Sequence, residues 1–117
     1  MRQRTPFQRI DMKEAQRLIT RRDVLVLDVR DAESFNKAHI KGARNVSIVT
    51  LSDVIDTTPK NMIILIYCYR GYASQEYAQI FSDFGFPIVY SLDGGYDAWS
   101  NRPRISGSMI RQAAAYQ

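Results

Sequence analysis

This sequence has little of what disulfide frameworks and metal centres need. Its 117 residues include one cysteine, Cys68, and one histidine, His39. A single cysteine forms no intramolecular disulfide and cannot run a dithiol exchange. Together with one histidine it cannot assemble the usual Cys/His zinc sets. Long apolar runs are also missing. The longest, Met62 to Tyr67, is strand length, far short of the ~20 residues that cross a bilayer. The amino-terminal stretch MRQRTPFQRIDMKE is basic but has no apolar core behind it, so it does not read as a secretory signal. Without a disulfide framework the expected compartment is the cytoplasm.

What is present suffices for one folded domain. Hydrophobic residues make up 45% of the chain, which supplies a core. The formal net charge of +4 raises the question of nucleic acid. The cations, however, gather toward the ends: Arg2, Arg4 and Arg9, then Arg102, Arg104 and Arg111. Arg21 and Arg22 fall at an expected helix end, where cations suit the helix dipole. No basic run interleaves with aromatics. The expectation is solvated termini with some attraction for small anions, and no nucleic-acid partner.

The pattern along the chain alternates strands and helices. Phe7 to Ile10 reads as a short strand. Asp11 caps a helix, with Glu14 completing a capping box. Val24 to Val29 reads as a strand buried on both faces. Asp31 caps a short helix to Lys37. Asn45 to Val49 reads as a short strand, and Thr50 or Ser52 caps a small helix through Ile55. Met62 to Tyr67 is the clearest strand. Ala73 to Phe84 has helical spacing and ends at Gly85. Ile88 to Leu92 is a strand, and Asp93-Gly94-Gly95 turns into a helix from Tyr96 to Ser100. This order predicts an α/β domain with a mostly parallel sheet of five strands and helices on both faces. Residues 1–100 form the expected domain and 101–117 a loosely held tail.

In such sheets ligands bind beyond the carboxyl ends of the strands. Cys68 sits at one. A lone cysteine there is ordinarily a small buried hydrophobe, but here it precedes a turn, Tyr69-Arg70-Gly71-Tyr72, that leads into a helix. Successive N–H groups in such a turn form an anion nest, and the helix adds its positive end. Both favour thiolate, the reactive form of cysteine. Arg70 adds a fixed cation. His39 is distant in sequence and has no assignable partner, so it reads as structural rather than as a base. The remaining chemistry is attack by a pre-ionised cysteine on a phosphoryl group or a sulfane sulfur.

The residues themselves narrow this. The run Cys68-Tyr69-Arg70-Gly71-Tyr72-Ala73-Ser74 resembles the active-site loop of the rhodanese superfamily. Asp28 to Phe35 and His39 to Asn45 resemble its first signature, and Asp93 to Trp99 its closing one. The four blocks stand in family order over about residues 7 to 100. The resemblance is strongest to the short, single-domain GlpE-type thiosulfate sulfurtransferases. It implies a rhodanese-like fold and a persulfide mechanism. Cys68 would take the outer sulfur of thiosulfate and pass it to cyanide or to a thiol, on a small molecule or a thioredoxin-like protein. It implies no metal and no organic cofactor. Tyr69, Arg70, Gly71, Tyr72, Ala73 and Ser74 would form the substrate-binding loop, with Arg70 attracting the sulfonate end.

Several roles stay open on sequence grounds. Ser74 either bonds the sulfur or caps the helix. Tyr69 and Tyr72 either line the mouth of the site or cover the loop. Asp28 and Arg30 are expected to tie loops together through charge-assisted bonds, and Trp99 and Tyr96 to pack the last helix. Two positions depart from the family pattern. Ala38 stands where glycine usually precedes the histidine, so that turn is expected to differ. Ala73 stands where many members have arginine, leaving Arg70 as the main cation. A cysteine phosphatase or arsenate reductase needs arginine six residues after the cysteine, and Ser74 occupies that place. A non-catalytic binding or regulatory module of the same fold also fits the residues, as does a carrier of sulfur between proteins.

Overall fold

The computed structural model describes residues 6–102. Arg2, Arg4, Arg104 and Arg111, and all of the expected 101–117 tail past Arg102, lie outside the described residues. The elements are β1 (Gln8–Ile10), α1 (Met12–Leu18), β2 (Val24–Asp28), α2 (Ala32–Lys37) and β3 (Arg44–Asn45). They continue with α3 (Leu51–Thr57), β4 (Ile63–Tyr67), α4 (Ala73–Asp83), β5 (Val89–Leu92) and α5 (Gly95–Ser100). The five strands form one sheet in the order β1-β5-β4-β2-β3. All its pairings are parallel.

Strand alternation splits the interior into two cores. On β4, Ile64 and Ile66 join Leu51, Val54, Ile55, Ala78 and Phe81, so α3 and α4 cover that face. Leu65 and Tyr67 point the other way, to Ala15 and Trp99 of α1 and α5. β4 is buried along its whole length, as a central strand with both faces covered must be.

The local signals explain most boundaries. The Asp11 side chain accepts the Glu14 N–H at 2.9 Å, and that of Asp31 accepts the Ser34 N–H at 2.8 Å. Each relieves an orphan donor in a first turn. Two expectations fail. The strand expected over 45–49 stops at Asn45, because Ser47 and Thr50 close a turn there. The Thr50 Oγ accepts the Ser47 N–H at 3.0 Å, which leaves Ile48 and Val49 exposed. Thr50 does hold the cap position of α3, yet its side chain makes no capping bond. Among the described residues, no helix is long and apolar enough to cross a membrane.

The topology places the site. β2 is followed by β3 on one side, whereas β4 is followed by β5 on the other. The chain therefore changes winding direction between β2 and β4, and a crevice opens beyond their carboxyl ends. Asp28 pairs with Tyr67 at that edge. Cys68 follows Tyr67 directly, and Arg30 lies two residues past Asp28.

Candidate active site

β4 delivers Cys68 to the sheet edge, and α4 begins five residues later at Ala73. The connecting turn wraps its N–H groups around the sulfur. Gly71 N–H donates to Cys68 Sγ at 3.2 Å, and Ser74 N–H donates at 3.3 Å. This needs Gly71 at φ +96°, where a Cβ would meet Gly94 N at 3.0 Å and the Leu92 carbonyl at 3.1 Å. Ser74 Oγ lies 3.4 Å from Sγ and 2.8 Å from Ser91 Oγ. When the thiol ionises, the Ser74 hydroxyl donates to the sulfur and Ser91 donates to Ser74.

These contacts decide between the two readings of Ser74. Tyr72, not Ser74, stands at the cap position of α4. Ser74 lies inside the first turn with its hydroxyl on the sulfur, so the capping reading is corrected. Ser91 had no sequence signal, being an ordinary strand residue until β5 brings it beside Ser74.

Cys68 is 4% exposed. Burial alone pushes its thiol up. The Ser74 hydroxyl and the Ser74, Gly71 and Arg70 N–H groups outweigh burial and hold it below the ordinary thiol range. A depressed thiol means that thiolate contacts stabilise the fold at high pH and are lost as pH falls through the folded-state value. Alkylation of Cys68 should therefore rise with pH to a midpoint below that of a free cysteine thiol measured alongside it. Ser74→Ala should move that midpoint upward by removing one donor. A Ser74→Ala midpoint equal to the wild type would show the hydroxyl to be a bystander.

The rest of the loop is held from two sides. The carbonyl of Cys68 accepts the Tyr96 N–H at 2.8 Å, and that of Tyr69 accepts the Asp97 N–H at 3.0 Å. The closing Gly94-Gly95 turn thus clamps the cysteine loop through backbone bonds, a role not visible in sequence. On the other side the Tyr69 hydroxyl donates to the Asp31 carboxylate and lies 2.8 Å from Ser34 Oγ. The Tyr69 hydrogen bond, then the Ser34 N–H, hold the Asp31 carboxyl down at about 2.

Beneath Tyr69, the Arg30 guanidinium bonds Asp28 Oδ2 at 2.8 Å and the Ala38 carbonyl at 2.6 Å. It also lies 4.2 Å from the Tyr96 ring centre and 5.7 Å from that of Tyr69. Asp28 and Arg30 therefore do tie loops together, as expected. Ala38 has φ −168°, extended backbone that any residue adopts, so the missing glycine costs nothing there. His39 stacks on Phe35 with centroids 3.8 Å apart, and its Nδ1 lies 2.7 Å from the Phe35 carbonyl oxygen.

Cys68, Tyr69, Arg70, Tyr72 and Ala73 line an open cavity of about 220 Å³. Tyr69 and Tyr72 are thus at its mouth, Tyr72 largely in solvent. Arg70 is part of the same lining. Its guanidinium bonds Asp97 Oδ2 at 3.2 Å. A larger cavity, about 430 Å³, lies between β1 and α1. Its lining includes neither Cys68 nor any residue of the cysteine loop, and its Arg9 and Arg21 are paired with Asp93 and Asp23.

A buried thiol ringed by donors at a parallel-sheet switch point has the geometry that a nucleophilic cysteine needs. The family description "Rhodanese-like domain" matches residues 11–102, and the chain belongs to that family. Its enzyme class is sulfurtransferase. It is 38% identical over 93 residues to the thiosulfate sulfurtransferase GlpE of Coxiella burnetii, spanning 80% of this chain and 87% of the relative. The GlpE of Shewanella oneidensis is 36% identical over 93 residues, spanning 80% and 92%. A crystal structure of a rhodanese-like domain protein from Staphylococcus aureus superposes with a TM-score of 0.68 at 25% identity, over 79% of this chain and 90% of that one.

Proposed function

We propose that this chain moves a sulfane sulfur from thiosulfate to cyanide or a thiol through a persulfide on Cys68. The observation that carries this reading is the set of donors focused on one sulfur: Gly71 N–H, Ser74 N–H and Ser74 Oγ. They favour an anion at Sγ without any general base. A persulfide is also an anion, with its charge on the terminal sulfur one bond beyond Sγ, so donors around Sγ lie close to both charged states.

The Cys68 thiolate attacks the outer sulfur of thiosulfate. The S–S bond of thiosulfate breaks, and sulfite leaves with its electron pair. A Cys68 persulfide anion remains. Cyanide then attacks the terminal sulfur, thiocyanate leaves and the thiolate returns. A thiolate acceptor, on a small molecule or a thioredoxin-like protein, takes the same sulfur as its own persulfide. Electron pairs balance within each step, so neither half-reaction calls for a metal or an organic cofactor. The GlpE relatives named as thiosulfate sulfurtransferases support the choice of donor.

Intact mass spectrometry tests the reading. Protein exposed to thiosulfate should gain one sulfur atom, and cyanide or dithiothreitol should remove it. An unmodified mass after exposure would sink the mechanism.

Arg70 is proposed to draw in the sulfonate end of the donor. Arg70→Ala should raise KM for thiosulfate several-fold and lower kcat little, because an anchor distant from the breaking bond binds ground and transition states alike. An unaltered KM would remove Arg70 from substrate binding.

A further inference from the structure

Among the described residues, Arg70 is the one cation lining the cavity over Cys68, and it is already occupied. Its Nε donates to Asp97 Oδ2 at 3.2 Å, with the two side chains 76% and 59% exposed. Asp97 is not placed there by chance of a long side chain. Its own N–H is bonded to the Tyr69 carbonyl at 3.0 Å, so its backbone is fixed to the cysteine loop. α5 therefore holds a carboxylate at the rim of a site built for anions.

We infer that Asp97 is a specificity-determining positioning residue: it competes with the anionic donor for Arg70 and sets how strongly the site favours anions. The inference rests on the sulfur-transfer reading, in which the donor is a dianion. Exposed ion pairs are weak, contributing at most about 1 kcal/mol, so a dianion entering the mouth can displace the carboxylate. Once displaced, the Arg70 guanidinium turns to the donor. With the donor gone, Asp97 takes it back. A donor of no charge has nothing to displace and gains nothing from Arg70. The pair thus acts as a filter for charge rather than for size.

Alkylation of Cys68 reads this filter without requiring sulfur transfer. In each reaction the thiolate displaces iodide from carbon, with iodoacetate as the anionic probe and iodoacetamide as the neutral one. The neutral rate normalises for thiolate content and loop integrity. In Asp97→Asn the ratio of iodoacetate to iodoacetamide rates should rise about two- to fivefold. The rise should fade at high salt. In an Arg70→Gln background the same substitution should give less than half that rise, because the carboxylate then has no guanidinium to hold. KM for thiosulfate should fall in Asp97→Asn by a similar factor.

An unchanged alkylation ratio in Asp97→Asn overturns the inference. An equal rise in both backgrounds also overturns it, since Asp97 would then act as a bare charge and not through Arg70. If thiosulfate fails to load Cys68 while the ratio shifts as stated, the choice of donor falls and the filter stands. If thiosulfate loads and the ratio does not move, the filter falls alone.

Discussion

Cys68→Ser should abolish sulfur transfer, with thiosulfate-dependent turnover falling about a thousandfold or more. The substitution leaves shape nearly unchanged, so the Gly71 and Ser74 N–H groups keep an acceptor to bond. Chemistry is what changes. A serine hydroxyl holds its proton far more tightly than a thiol, and the same donors that tip a thiol toward thiolate cannot ionise an alcohol. His39 is no base for this position, because the hydrogen-bond partners of the Cys68 sulfur among the described residues are Gly71 and Ser74 and not the imidazole. Oxygen also cannot form the disulfide-like bond that stores the sulfur. Steady-state assay with thiosulfate and cyanide gives the rate, and intact mass should show no sulfur adduct. Retention of a tenth of wild-type turnover would place the reacting atom elsewhere.

Gly95→Ala should cost roughly 2–5 kcal/mol of stability and most of the activity, although Gly95 lies outside the cavity lining. Gly95 sits at φ +57°, a left-handed conformation that costs other residues about 1–2 kcal/mol. Its added Cβ would lie 2.5 Å from the Cys68 carbonyl oxygen and 2.6 Å from the Tyr69 carbonyl carbon and oxygen. These are backbone atoms of the cysteine loop, so they yield only if the loop moves, an overpacking cost of about 1–3 kcal/mol. Movement breaks the Tyr96 and Asp97 N–H bonds to that loop and pulls the nest away from the sulfur. Denaturant midpoints measure the first effect, and the pH midpoint of Cys68 alkylation, expected to rise, measures the second. A variant with both midpoints unchanged would show that the closing turn does not clamp the loop.

The fold was widely legible because its signals are local. Asp11 and Asp31 announce their helices through their own side chains. Met62 to Tyr67 has the unbroken apolar character of a strand covered on both faces, and all of Ile63–Tyr67 is buried. The short third strand was less legible. Val46, Ile48 and Val49 look like strand residues, but pairing ends at Asn45. The Ser47–Thr50 turn wins there because β3 is an edge strand, with no neighbour beyond it to extend the ladder.

The candidate site divides in the same way. Cys68 at a strand end, a glycine in the turn and a helix just beyond are sequence facts, and they predict a thiolate because backbone N–H groups in such a turn have nowhere else to converge. Which atoms touch the sulfur was not in the sequence. Ser74 could equally have capped its helix. Its hydroxyl bonds the sulfur because Ser91, seventeen positions away, holds it there. Asp97, twenty-seven positions from Arg70, became the arginine's partner because α5 packs against the cysteine loop. Hydrogen bonds and ion pairs of that separation depend on how two elements dock, and docking is set by the whole core. The sequence by itself therefore determined the candidate nucleophile and the loop that surrounds it. Only the tertiary structure decided which neighbours tune the sulfur and what holds the cation at its door.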